Sequence, residues 1–219
     1  MPSSAGSEID IANMALIMLG QQKITSLGSS NNRAVMANQR YADIRDSVLR
    51  AHPWNCAIKR DKLAKSAVVP DWGYTSTFTL PSDFVRLVSI EDPTQKYAIE
   101  AGNEGSSAAN DAVVIVTDAS EMNIRYVYQI TDVSKMDHTL KHAIATRLAA
   151  DLASVLTGDT SKEQFLMQKY ESILLQATWE DSTEHNTTET IHGGLWLESR
   201  YDNAVSRDYP DLNSDGSLA

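Results

Sequence analysis

The chain of 219 residues has one cysteine, Cys56, which excludes a disulfide framework and any metal centre built on several thiolates. No apolar run approaches the ~18 residues a membrane helix needs. Residues Met1 to Ile9 lack a basic stretch followed by an apolar one, so no signal peptide is expected either. Basic residues are also short: 19 Lys and Arg face 29 Asp and Glu, for a net charge of −10. Tight nucleic-acid binding needs clustered cations to neutralise phosphates, so that class is disfavoured. Phosphate-cradling glycine loops, dinucleotide fingerprints and nucleophile elbows are missing as well. The run Gly102-Asn103-Glu104-Gly105 has no following lysine and reads as a loop between strands. What remains, at 42% hydrophobic and 22% charged residues, is ordinary globular composition, expected of a soluble protein made inside the cell.

The charge is unevenly spread. Residues 33–65 carry eight basic groups against three acids, a local net of +5 that leaves −15 for the rest. Such polarity suits contacts between unlike surfaces of domains or subunits. A solvated basic helix face is the plainer reading. The arginines Arg33, Arg40, Arg45 and Arg50 are the candidate subunit or partner contacts.

Three regimes predict an α+β fold: a split four-helix bundle with an inserted small antiparallel β domain and an extended C-terminal tail. Residues 1–66 supply the first helical half. Ser7 to Asp10 reads as an N-cap with an acid three residues on, and Gly20 as a stop. A long helix runs from about Asn32 to Ala51, because His52 precedes Pro53 and is pushed out of helical geometry. Ala34, Ala37, Tyr41, Ile44, Val48 and Ala51 form one stripe on it, with Val35, Ala42 and Leu49 beside them. Together they cover half the circumference, wider than a simple surface helix needs.

Residues 67–131 switch to strand chemistry. Candidates are Thr75–Leu80, Phe84–Ile90, Lys96–Glu100, Ala112–Thr117 and Asn123–Ile130, separated by turn signals such as Pro70-Asp71-Trp72-Gly73. Residues 132–184 return to helix. Asp137 caps a helix that Gly158 stops, with Leu140, Ile144, Leu148 and Val155 on a broad apolar side and Ala143, Ala149, Ala150 and Ala153 on a small-residue side. Thr160 or Ser161 caps the next helix, with Leu166, Tyr170, Ile173, Leu174 and Ala177 inward. In residues 185–219 the periodicity ends. Six acids face two arginines after Asn186, and Leu195, Trp196, Leu197, Tyr201, Val205 and Tyr209 are strung through it as anchors for a partner.

Local chemistry points to no catalytic site. Cys56 lies in an apolar-flanked stretch and reads as an inert buried thiol. His138 and His142 share a helix face, yet neither a third ligand nor an intervening glutamate accompanies them. Asp211, Asn213, Asp215 and Gly216 match half of a calcium loop whose closing acid is missing. Arg147 and Asp151, four apart, read as a local ion pair. Many carboxylates are present but no rule selects two of them for glycan hydrolysis, so a hydrolase acting on glycan is permitted without being indicated and stands as the alternative function.

Several stretches carry a resemblance. They are Ala12-Asn13-Met14-Ala15-Leu16-Ile17-Met18-Leu19-Gly20 with Ile24-Thr25-Ser26-Leu27, then Arg45 to Arg50 with Ala51-His52-Pro53-Trp54-Asn55-Cys56-Ala57, and Leu80-Pro81-Ser82-Asp83-Phe84. The Ala-rich run Leu148 to Ala153 and Lys169-Tyr170-Glu171 complete the set. In this order they resemble the tail tubular protein A family, the head-to-tail adaptors of short-tailed bacteriophages. The resemblance implies a virion protein made in the bacterial cytoplasm and placed at the head–tail junction. Its partners would be copies of itself in a dodecameric ring, the portal protein above, the nozzle protein below, and double-stranded DNA passing without sequence-specific contact. It implies no membrane, no cofactor and no catalytic residue. The long acidic segment after Asp181 departs from the family pattern; by analogy with related connectors it would clasp the portal. A ring repeats one heterologous contact until it closes, and an acidic channel wall would let DNA slide.

Overall fold

Ser7 opens the first helix by exchanging hydrogen bonds with Asp10: the Ser7 amide donates to Asp10 Oδ2 at 2.8 Å, and the Asp10 amide donates to Ser7 Oγ at 3.3 Å. This reciprocal cap satisfies two otherwise orphaned amides. The helix, α1, spans Glu8–Met18, and Gly20 turns the chain away at φ +72°, a conformation that favours glycine. Helix α2 spans Asn32–Ala51, capped by the Asn31 side chain. His52 is extended before Pro53, as a pre-proline residue prefers. Helix α3, His138–Thr157, is capped by Asp137 and stopped by Gly158 at φ +67°. Helix α4 spans Thr160–Glu184. Its cap is Asp159, one residue before the expected Thr160 or Ser161: Asp159 Oδ1 accepts the amides of Ser161 and Lys162 at 3.0 and 3.2 Å. A carboxylate at that position also complements the positive end of the helix.

This computed structural model describes residues 7–102 and 113–184. Residues 1–182 make up one unit, and of the remainder only Thr183 and Glu184, the end of α4, are among the described residues. Between α2 and α3 lie six strands: β1 Ile58–Lys62, β2 Ser76–Thr79, β3 Phe84–Ile90, β4 Tyr97–Ala101, β5 Val113–Thr117 and β6 Asn123–Tyr128. The fold is α+β, as expected.

Two features of the strand region correct the expectation. There are two three-stranded antiparallel sheets, ordered β1-β6-β3 and β2-β5-β4, where one sheet was expected. And β1 falls in a stretch read as helical. Its sequence, Ile-Lys-Arg-Asp-Lys, is almost wholly exposed and has no alternation to betray a strand. Pairing with β6 through all five residues creates it. Residue pairs across the register show why two sheets form. Ile124 and Tyr126 of β6, with Leu87 and Ile90 of β3, face Phe78 and Ile115 of the other sheet in a small second core. On the opposite face Val127, Val85 and Val88 join the helical core instead.

Helix α3 is the centre of that main core, with both α1 and α2 packed on it. Half of its 20 residues are buried, among them Leu140, Ile144 and Leu148. Ala143, Ala149, Ala150 and Ala153 are fully enclosed, so small side chains there let neighbouring helices approach closely. Val155, expected on the apolar side, is 62% exposed, in the last turn of the helix. Helix α4 buries Leu166, Tyr170, Ile173 and Ala177, with Leu174 partly covered. Among the described residues no helix is long and apolar enough to cross a membrane.

Candidate interaction surface

Residues in the motif-bearing stretches are internal pins. Asn13 uses its whole amide: Nδ2 donates to the Ile24 carbonyl at 3.0 Å and Oδ1 accepts the Ile24 amide at 2.7 Å. It thereby ties the segment after α1 back onto that helix. Trp54, 2% exposed, donates Nε1 to the Val48 carbonyl at 3.0 Å, satisfying one of the carbonyls that a helix end leaves open. His52 is buried edge-on to Trp54; its Nε2 meets Asp181 Oδ2, and Thr178 lies against its other ring nitrogen. So the exit of α2 is fastened to the end of α4. Asp83 accepts from Lys59 Nζ at 2.6 Å and Tyr126 Oη at 3.0 Å. Burial disfavours its charge, yet these two donors outweigh burial and hold the carboxyl below the ordinary range.

The four arginines lie in different settings. Arg40 makes a two-pronged ion pair with Asp151 of α3, Nε to Oδ2 at 2.6 Å and Nη2 to Oδ1 at 3.0 Å. That contact, across 111 positions, takes the place of the expected local pair; Arg147 turns instead to the Met167 sulfur. Asp151 sits below the ordinary carboxylate range chiefly because of the Arg40 hydrogen bond. Arg45 is buried, with Nε 2.8 Å from Asp46. Arg50 donates to the Val85 carbonyl at 2.9 Å, and Arg86 donates to the Arg50 carbonyl in return. Arg33 is half-buried; its Nε and the Tyr41 hydroxyl are enclosed without a hydrogen-bond partner among the described residues.

Among the described residues, two of the places where apolar side chains face outward are α4 and the turn before β2; Tyr97, Ile99 and Val113 of the β4–β5 pair are exposed as well. Along α4, opposite its buried stripe, Phe165, Gln168, Ser172, Leu175, Trp179 and Ser182 recur at three- and four-residue spacing, all exposed. Phe165, Leu175 and Trp179 are 64%, 74% and 68% exposed, and no charged residue interrupts the row. This alternation of a and d positions is the seam pattern of helices that pack on helices. Its spacing is present in the sequence beside that of the inward stripe on the same helix. The second place is the turn before β2, where Trp72 is 86% exposed beside the exposed Val68 and Val69. On α2, Val35 and Ala42 of the predicted second stripe are also exposed, while Leu49 is buried.

The titratable candidates are unremarkable in chemistry. His142 is held neutral more readily than usual, by partial burial and then by Lys169 and His138. Burial pushes the Cys56 thiol up, away from the reactive thiolate. Among the described residues no three His, Cys, Asp or Glu side chains gather to hold a metal. The tail anchors Leu195, Trp196, Leu197, Tyr201, Val205 and Tyr209, and the partial calcium loop at Asp211 to Gly216, lie outside the described residues. No protein-family model matches the chain, and no curated protein matches it significantly.

Proposed function

We propose that this chain is a structural component of a phage virion, a head-to-tail adaptor whose copies close a ring between the portal and the tail nozzle and prolong the DNA channel. In this reading it has no catalytic role, and its site is at the head–tail junction. The two helical halves, α1–α2 and α3–α4, form one split bundle interrupted by the strand region. The reading rests on the resemblance of the stretches around Asn13, His52 to Trp54 and Asp83, and on one observation above all. The uncharged row of six residues on α4, spanning Phe165 to Ser182, exposes Phe165, Leu175 and Trp179 on the side away from the core. Exposed apolar strips of this kind mark protein–protein contacts. Of the four arginines, Arg40, Arg45 and Arg50 are engaged inside the subunit, by Asp151, Asp46 and the Val85 carbonyl, so they carry little of this reading. The segment from Leu195 to Tyr209 would add aromatic anchors on the portal.

Co-purification with the portal protein of the same genome, followed by negative-stain microscopy, tests the proposal. A ring seated on the portal is expected. Deleting the chain from Gly193 onward should leave a folded subunit that binds portal poorly. A chain that ignores the portal but releases new reducing ends from host polysaccharide would replace the adaptor with a hydrolase.

A further inference from the structure

Along the outer row of α4, from Phe165 through Gln168, Ser172, Leu175 and Trp179 to Ser182, the steps are three, four, three, four and three residues. That series reads the same in both directions. A second copy of the helix laid antiparallel therefore brings every member of its row level with a member of the first. In that register Phe165 meets Ser182, Gln168 meets Trp179 and Ser172 meets Leu175, and a twofold axis repeats each pair.

Every layer of such a seam holds one large apolar side chain and one smaller one. Interlocking helices need this, because volume then stays even along the contact and each knob finds a hole. Parallel pairing has no such fit. It would set Trp179 on Trp179 and Phe165 on Phe165, while Ser172 and Ser182 faced their own copies across gaps. Polar members are also provided for: Ser182 Oγ donates to the Trp179 carbonyl at 2.7 Å, and a helical serine such as Ser172 can bond the carbonyl four residues back in the same way. At the flanks, Lys169 would lie beside Gln176 of the second copy and Glu171 beside its Thr178, so no like charges meet.

Phe165, Leu175 and Trp179 are 64%, 74% and 68% exposed, which leaves about 400 Å² of apolar surface per copy for side chains of roughly 150–250 Å² each. Two copies cover about 800 Å² through these residues, and the smaller members and flanks bring the seam to the ~1,000 Å² of a specific but reversible interface.

We propose that the outer row of α4 is a self-association surface, on which two copies of this chain pair their α4 helices antiparallel about an axis between Ile173 and Leu174. The pair consumes both rows, so association stops at two. This inference rests on the reading of the row as a contact with other chains. Within the adaptor proposal the pair is the free form, since a twofold contact does not extend around a ring and must open before a subunit joins one.

Sedimentation velocity of the full chain without portal, from ~1 to ~200 μM, tests the pairing. A concentration-dependent shift from monomer to dimer, with no larger species, is expected. Leu175→Ser strips the large side chain from both central layers and should weaken the dimer about a hundredfold. Trp72→Ser, exposed but outside the row, should leave it unchanged. The register is read with Lys169→Cys and Gln176→Cys proteins, each also carrying Cys56→Ser, and a short bismaleimide linker. Cross-linked dimers should form in the mixture and with neither protein alone. A chain that stays monomeric throughout would overturn the proposal, as would a dimer that survives Leu175→Ser or one whose mixed cysteine variants do not link. If that monomer still enters the portal complex, the adaptor reading stands without the pairing; a dimer that portal never opens would leave the pairing standing without the adaptor.

Discussion

Helices α3 and α4 are similar in length and adjacent in sequence, yet they use their surfaces in opposite ways. Helix α3 is enclosed on nearly all sides: α1 and α2 pack on it, and its alanines have no exposure. Helix α4 buries one row, Leu166 to Ala177, and turns Phe165, Leu175 and Trp179 outward. The first helix holds the subunit together. The second leaves a row with three large apolar side chains uncovered, the row on which the proposed contact with other chains rests. Apolar content does not distinguish them; what each row meets does.

The sharpest way to break this contrast is to cut into α3. Leu148→Ala removes a fully buried side chain and should cost about 2–5 kcal/mol in urea unfolding. A loss under 1 kcal/mol would show that α3 is not the centre. Next comes the pin between α1 and the segment after it. Asn13→Ala deletes both amide contacts to Ile24 and leaves a backbone amide and carbonyl unpaired, at about 1–3 kcal/mol. Tyr41→Phe has the opposite sign. The hydroxyl is enclosed without a partner among the described residues, so its removal should leave stability unchanged or raise it by up to about 1 kcal/mol.

A pH titration gives a smaller effect. Because His142 has a folded pKa below its ordinary 6.5, the unfolded chain takes up the proton first. Stability therefore drops as pH falls through about 6.5, and His142→Gln should flatten that step in thermal melts. A second loss follows in more acid solution. Asp83 and Asp151 are held below the ordinary carboxylate range, so their contribution is present above about pH 4 and disappears as they protonate. The smallest effect belongs to α4: Leu175→Ser, on the outer row, should change the stability of the isolated chain by no more than about 0.5 kcal/mol.

Much of the α3 side of this contrast was legible from local sequence. Ser7, Gly20, Asp137 and Gly158 mark helix ends by short-range chemistry, and His52-Pro53 ends α2 at Ala51 as expected. Contacts made across long separations were not legible. β1 looks like nothing alone and exists because β6 pairs with it. The division into two sheets depends on which face of β6 meets Phe78 and Ile115. Asp151 has a basic neighbour four residues away, yet the folded chain brings Arg40 to it from α2, and Arg45, read as a surface cation, is buried. Among the surface candidates, the outer row of α4 follows from spacing once its inward row is fixed.

The central claim is that the outer row of α4 serves contact with other chains and not the fold. Sedimentation velocity of the Leu175→Ser, Trp179→Ser double variant, alone and with portal, tests it most directly. The account predicts a variant that melts within a degree or two of the parent and fails to enter the portal complex. A variant that joins the complex as fully as the parent, or one that no longer folds, would contradict it.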